Sequence, residues 1–265
     1  MICAHIEPEF DIWDTLYHKE VLKLASEKRE VDEIKKDLEK NQTFYLNGEA
    51  KGKTQVVVKQ GKVASELLKV TQNNKADLLI LGQEEVKTGH GTLIRNLIRR
   101  SATNVLVVPK VEFKQIKTIL CAIDFSSCSD VVIQTVHEMA QHLNGQVKIK
   151  LLHLYSVPVY EEEREPPDEN TIVRGKNGPV CRAFKTLTQK YSFSGISTPE
   201  YMEQTASAGT FHESIIHTAQ KENADILIVG NMGHSPYKQF YLGSVAEKLT
   251  LSDLPCATWF VSCNQ

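Results

Sequence analysis

The sequence predicts an α/β protein made of two repeats of a doubly wound, mostly parallel five-stranded sheet. Three observations carry that expectation. Short continuous apolar runs, such as residues 226–229, alternate with stretches of helical spacing, such as Val132, Val136 and Met139. That alternation is the pattern of strands buried on both faces beneath covering helices. The chain also repeats itself: at a shift of 148 residues, 61–82 aligns without a gap on 209–230, and seven of the 22 positions are identical. The identities are Gly61, Gln72, Ala76, Asp77, Leu79, Ile80 and Gly82 against Gly209, Gln220, Ala224, Asp225, Leu227, Ile228 and Gly230, so one architecture occurs twice. Finally, 265 residues at 41% hydrophobic are enough for two domains of ordinary size.

Taken in order, the elements begin in the middle of a repeat. The same shift places His5 and Ile6 on His153 and Leu154, so the chain opens on the repeat's second strand. The partner of Asp124 would precede residue 1, and the first repeat is expected to lack its first strand and helix. In an open parallel sheet such a loss leaves unpaired backbone groups and an exposed apolar face. A shortened chain explains this, as does a neighbouring chain or altered pairing that fills the gap; we favour the first. Residues 17–41 carry Val21, Leu22, Leu24, Val31, Ile34 and Leu38 on a charged background, which predicts a long amphipathic helix broken near Glu30. A strand at 56–58, a helix at 62–73, a strand at 77–81, a helix at 91–100 and a strand at 105–108 complete the half, with 110–115 as linker. The second half reads as strand 116–124, helix 128–143, strand 147–155, a loop, helix 180–191, strand 199–204, helix 210–222, strand 225–230, a loop, helix 243–251 and strand 256–262. The domains are therefore set at 1–110 and 111–265.

One motif bears on chemistry. After the apolar run ending at Val229 come Gly230-Asn231-Met232-Gly233, nine residues, and Gly243-Ser244. A strand that delivers a glycine loop onto a helix start suits phosphate, because glycines admit close backbone approach and the helix start offers unpaired N–H groups. The bland alternative is a strand, turn and helix whose glycines serve geometry alone.

This spacing resembles the nucleotide-binding signature of the universal stress protein family. Residues 119–126 (Ile-Leu-Cys-Ala-Ile-Asp-Phe-Ser) look like the family's first strand, residues 151–154 like its second, and 243–249 with Pro255-Cys256-Ala257 like its last helix and strand. The resemblance implies a Rossmann-like fold of the adenine nucleotide alpha hydrolase kind and an ATP-binding regulator or sensor of the stress response. It implies a site made of Ala122, Ile123, Asp124, Leu154, Gly230, Met232, Gly233, His234, Gly243, Ser244 and Val245. Asp124 would hold the adenosine and the Leu154 backbone would touch adenine. The glycine loop would cradle phosphates bridged by magnesium or manganese, since hard cations take oxygen ligands from the nucleotide itself. Asp124 has a competing role as a helix cap through Ser126 and Ser127; His234 and Lys238 either neutralise charge or face solvent.

The first half departs from this pattern. Glu84 and Glu85 stand where the second half has Met232 and Gly233, and eight residues separate Gly82 from Gly91, against twelve between Gly230 and Gly243. One nucleotide site per chain is expected. No Walker lysine or evident base is present, so any hydrolysis is expected to be slow. A slow ATPase using His234 and a nucleotide-free interaction module are the alternative readings.

A net charge of −2 from 31 basic and 33 acidic residues gives no global attraction to nucleic acid or anionic lipid. No apolar run reaches membrane-spanning length, and a cytoplasmic protein is expected. Arg95, Arg99 and Arg100 share one helix and read as a solvated face before a phosphate patch, while residues 161–168 read as a flexible acidic loop. The six cysteines lack a C-x2-C pair and are expected as buried reduced thiols. His137 and His142, five apart, are poorly placed for a shared metal. The terminal strands, 105–108 and 257–261, carry pairable edges and are expected to join the repeats as an intrachain pseudo-dimer, with a homodimer as a further step.

Overall fold

The computed structural model describes residues 1–8, 31–45, 54–83, 90–110, 115–143, 146–156, 172–173, 178–193, 196–206, 210–233 and 242–263. The chain divides into two units, Met1–Ala76 and Asp77–Gln265.

In the first unit, strands β1 (Ile2–Pro8) and β2 (Gln55–Gly61) pair in parallel, with Ile2 opposite Gln55. Helices α1 (Val31–Tyr45) and α2 (Val63–Asn73) belong to the same unit, whose buried aliphatic residues include Ile6, Ile34, Leu68 and Val70. Helix α1 runs four residues past the expected end at 41, and its expected beginning at 17–30 lies outside the described residues.

The second unit holds β3 (Leu78–Gln83), α3 (His90–Arg100), β4 (Asn104–Pro109), β5 (Thr118–Ala122), α4 (Cys128–His142), β6 (Lys148–Tyr155) and β7 (Ile172–Val173). It continues with α5 (Pro179–Thr188), β8 (Glu200–Thr205), α6 (Phe211–Lys221), β9 (Ile226–Gly230), α7 (Ser244–Thr250) and β10 (Ala257–Val261). They form one eight-stranded sheet in the order β3-β4-β10-β9-β5-β6-β8-β7. The five strands from β10 to β8 are parallel throughout, as the alternation of apolar runs and helices predicts. At one edge β7 adds an antiparallel pair on β8 inside a stretch expected as loop; two residues are too few for a periodic signal.

Alternate side chains of each central strand serve opposite faces. Ile119, Cys121, Ile226 and Ile228 pack with Val132, Ile133, Val136 and Phe184 of α4 and α5. Leu120, Leu227 and Val229 pack on the other side with Ile215, Ala219, Ala246 and Leu249 of α6 and α7. Each fully buried aliphatic side chain contributes roughly 1.5–3 kcal/mol relative to exposure. Asp225 fixes the register at the strand starts: its Oδ2 accepts the N–H groups of Lys117 (2.7 Å) and Thr118 (2.8 Å).

On the far side of β10 the sheet continues antiparallel into β4, with Trp259 opposite Leu106. The expected boundary at 110 separates sequence repeats, whereas the division into units falls at 76, because β3 and β4 hydrogen-bond into the sheet of the second half.

Candidate functional site

Strand order reverses at β5: β6 and β8 are added to one side of it, β9 and β10 to the other. Such a reversal opens a crevice beyond the carboxyl ends of the strands. Here it is a cavity of about 580 Å³. Its wall includes Ala122, Ile123, Asp124, Leu154, Gly230, Met232, Gly233, Gly243, Ser244 and Val245, so ten of the eleven residues expected at a site meet in one place. His234, the eleventh, and Lys238 lie outside the described residues.

Strand β5 ends at Ala122, two residues earlier than the apolar run suggests, because Phe125 takes a positive φ of 60° and turns the chain toward α4. A non-glycine residue in that region is uncommon, and such turns concentrate at functional sites. The Phe125 ring is held between His153 (4.8 Å) and Phe184 (4.9 Å). His153 Nδ1–H donates to the Ile123 carbonyl at 2.8 Å, and Ile123 N–H donates to the Leu152 carbonyl at 2.8 Å. Both peptide groups of Ile123 are thus engaged within the protein.

Asp124 serves the turn with one oxygen. Oδ1 accepts Ser126 N–H at 2.9 Å and the Ser129 hydroxyl at 3.0 Å, so the capping role is real, with Ser129 in place of the expected Ser127. Its other oxygen meets the glycine loop: a Cβ on Gly233 would stand 2.9 Å from Asp124 Oδ2.

Strand geometry decides what Leu154 presents. The Leu152 carbonyl points to the β5 side, where it meets Ile123 N–H, and peptide groups two residues apart along a strand point the same way. Leu154 therefore aims its N–H and carbonyl to that side too, past the end of β5 and along the cavity wall.

On the opposite wall, Gly230 is tightly enclosed. A Cβ there would stand 2.5 Å from Cys128 Sγ, closer than real contacts allow, and a tight 3.2 Å from the Met232 carbonyl oxygen. Gly243 has room for a Cβ, its nearest neighbours being 3.5 Å away, and its N–H donates to the Asn231 carbonyl at 2.8 Å. This amide therefore closes the loop between Asn231 and the start of α7. Ser244 and Val245, in the first turn of α7, have N–H groups that an α-helix cannot satisfy internally.

Sequence reasoning missed Asn231, which sits inside the glycine motif. It is 2% exposed; its N–H donates to the Val261 carbonyl (2.9 Å), its carbonyl accepts from Gly243, and its Oδ1 accepts Cys263 N–H (3.0 Å). It also missed Phe211 and Ile215 of α6, whose helical spacing reads only as core. The expectation of reduced cysteines is corrected as well: Cys128 and Cys263, 135 residues apart, are joined by a disulfide, a pairing that only tertiary structure brings together. Cys121, Cys181 and Cys256 are buried thiols; burial pushes the Cys121 thiol far up and that of Cys256 up to about 12.

Arg95, His137 and His142 have structural partners. Arg95 reaches Glu247 at 3.3 Å, and Arg99 and Arg100 are exposed. His137 Nε2–H donates to the Ser192 carbonyl and His142 Nδ1–H to the Glu138 carbonyl. Among the described residues no cluster of three His, Cys, Asp or Glu is placed to hold a metal, and no helix is long and apolar enough to cross a membrane. The acidic stretch 161–168 and the pair Glu84–Glu85 lie outside the described residues.

A family model described as the universal stress protein family matches residues 13–109 and 202–261, together more than half of the chain. The chain belongs to the universal stress protein family. Its two matched regions fit two repeats. A universal stress protein from Archaeoglobus fulgidus DSM 4304 is similar in fold, with 15% identity and a TM-score of 0.55 over 89% of this chain and 81% of that one. A putative universal stress protein from Pseudomonas aeruginosa UCBPP-PA14 reaches 0.61 at 15% identity over 99% and 93%. A functionally unknown protein from Pseudomonas aeruginosa PAO1 reaches 0.58 at 16% over 98% and 92%. The comparison with curated proteins gives no match. The universal stress protein match passes over residues 110–201, so the roles weighed for Asp124 and Leu154 rest on geometry.

Proposed function

We propose that the domain spanning 111–265 binds ATP and that occupancy makes this protein a nucleotide-dependent regulator or sensor in the stress response. One observation carries the reading: Asp124, the outward peptide groups of Leu154, and Gly230 and Gly233 meet in a single cavity at the reversal of strand order. Leu154 can give and accept a hydrogen bond at the adenine edge. Asp124 can accept from the ribose while Ser126 and Ser129 hold it in place. The loop from Gly230 to Gly233 lets the chain pass beneath the phosphates, and Ser244 and Val245 supply donors at the far end. The described wall includes no lysine or arginine, so magnesium or manganese carried by the nucleotide would supply the phosphates' counter-charge.

Fast hydrolysis has little support, because the described wall offers a carboxylate already committed to a turn rather than a positioned base. The antiparallel pairing of β4 with β10 supports reading the repeats as an intrachain pseudo-dimer, since the two are each repeat's last strand. We place its action in the cytoplasm. The test is direct: protein purified from cells is denatured, the released nucleotide is identified by chromatography, and ATP is titrated into emptied protein by calorimetry. About one ATP per chain is expected; no binding, or two sites per chain, overturns the proposal.

A further inference from the structure

We propose that Cys128 and Cys263 are a reversible redox pair whose state sets the affinity of the crevice for nucleotide. The inference rests on the nucleotide reading above for its ligand and on a separate set of observations for its mechanism.

The first is position. The two Cα atoms are 5.4 Å apart, within the span a disulfide bridges without moving backbone. Cys128 opens α4, is 4% exposed and lines the cavity. Cys263 follows β10 and is partly exposed. The bond therefore runs from the turn that carries Asp124 to the end of the strand beside the glycine loop.

The second is coupling to the loop. Cys128 Sγ presses on Gly230 so closely that no Cβ fits between them. Cys263 N–H is bound by Asn231 Oδ1, and the Asn231 carbonyl holds the Gly243 amide. Each sulfur thus sits one residue from a group that shapes the glycine loop. Reduction replaces a covalent bond by van der Waals contact, so the sulfurs must part. Cys128 has no room on its Gly230 side, and the movement falls on the α4 turn or on the Cys263–Asn231 contact. Either one loosens the walls that grip the ligand, whereas the intact bond keeps them preorganised.

The chemistry balances with a small-molecule disulfide as oxidant. The thiolate of Cys263, the more exposed partner, attacks one sulfur of the oxidant and expels one small thiolate. The Cys128 thiolate then attacks Cys263 Sγ and expels the second. Two electrons pass from the protein to the oxidant, and the two cysteine protons end on the two expelled thiols. In a reducing compartment such a bond forms when the oxidant rises and is lost when it falls.

The experiment uses the full chain, oxidised with glutathione disulfide or reduced with dithiothreitol. Alkylation under denaturing conditions followed by peptide mapping is expected to show Cys128 linked to Cys263 in the oxidised sample and four alkylated cysteines, against six after reduction. ATP titration is expected to give at least about fivefold weaker affinity for the reduced protein, and by the reciprocity of linkage bound ATP is expected to shift the thiol–disulfide equilibrium toward the bond by the same factor. Cys263→Ser is expected to bind like reduced protein and to ignore dithiothreitol. Six alkylated cysteines in the oxidised sample, or ATP affinities equal within about twofold in wild-type protein, overturn the switch. Should the linked peptide be present while no form binds ATP, the nucleotide reading falls, and this coupling with it. The wild-type comparison needs no variant to fold.

Discussion

Asn231 shows how much one buried amide settles. Its backbone and side chain bind β10, Cys263 just beyond β10 and the start of α7, so the glycine loop is held at both ends before any ligand arrives. With both ends held, single changes in the wall should read out as binding. Asp124→Ala removes a charge-assisted acceptor and is expected to weaken ATP binding by about 1.5–3 kcal/mol in calorimetry. Gly233→Asp places a second carboxylate where a Cβ would already stand 2.9 Å from Asp124 Oδ2, and binding should be lost. Full affinity in both variants would remove the proposed site. His212 supplies a pH test. Burial first, then Lys248, lowers its pKa, with Glu213 opposing, and its Nδ1 is a buried atom with no hydrogen-bond partner. The unfolded chain takes up this proton first. Stability is therefore fullest above the unfolded value of about 6.5 and falls as the pH drops from there toward the lower folded value. Urea midpoints should decline from about pH 7.5 to pH 5.5, and less steeply in His212→Gln.

Strands β3 and β9 are the same element in two settings. Their sequences, Leu-Leu-Ile-Leu-Gly and Ile-Leu-Ile-Val-Gly, match at the repeat shift, but β9 lies between β10 and β5 while β3, among the described strands, pairs with β4 alone. Ile228 is 0% exposed and its counterpart Ile80 is 60% exposed. Among the described residues, β3 thus exposes an apolar side chain where β9 buries its counterpart. Ile228→Ala should cost about 2–5 kcal/mol. Ile80→Ala should stay under about 1 kcal/mol. Equal shifts in the urea midpoint would show that Ile80 is covered in solution. Elements of this kind were legible because continuous apolar runs and helical spacing report burial directly. The turn at Phe125 was not legible, since nothing in Asp-Phe-Ser announces a positive φ, and neither was the capping partner Ser129, which depends on where the helix starts.

At the scale of the whole molecule, repetition in sequence and division in space disagree. Similarity between halves identifies equivalent strands, but hydrogen-bond partners are a nonlocal property, and the pairing of β4 with β10 draws residues 77–110 into the larger unit. Among the described residues, 1–76 are left with two strands and a core whose buried aliphatic members include Ile6, Ile34, Leu68 and Val70, while the larger unit buries both faces of five parallel strands. At roughly 1.5–3 kcal/mol per buried aliphatic side chain, and with two-stranded sheets marginal by themselves, the smaller unit should open first. Native-state hydrogen exchange followed by mass spectrometry is expected to show β1 and β2 amides losing protection at lower urea than those of β5 and β9. Coincident loss in all four strands would mean that the units unfold as one, and that the smaller one draws its stability from beyond its own core.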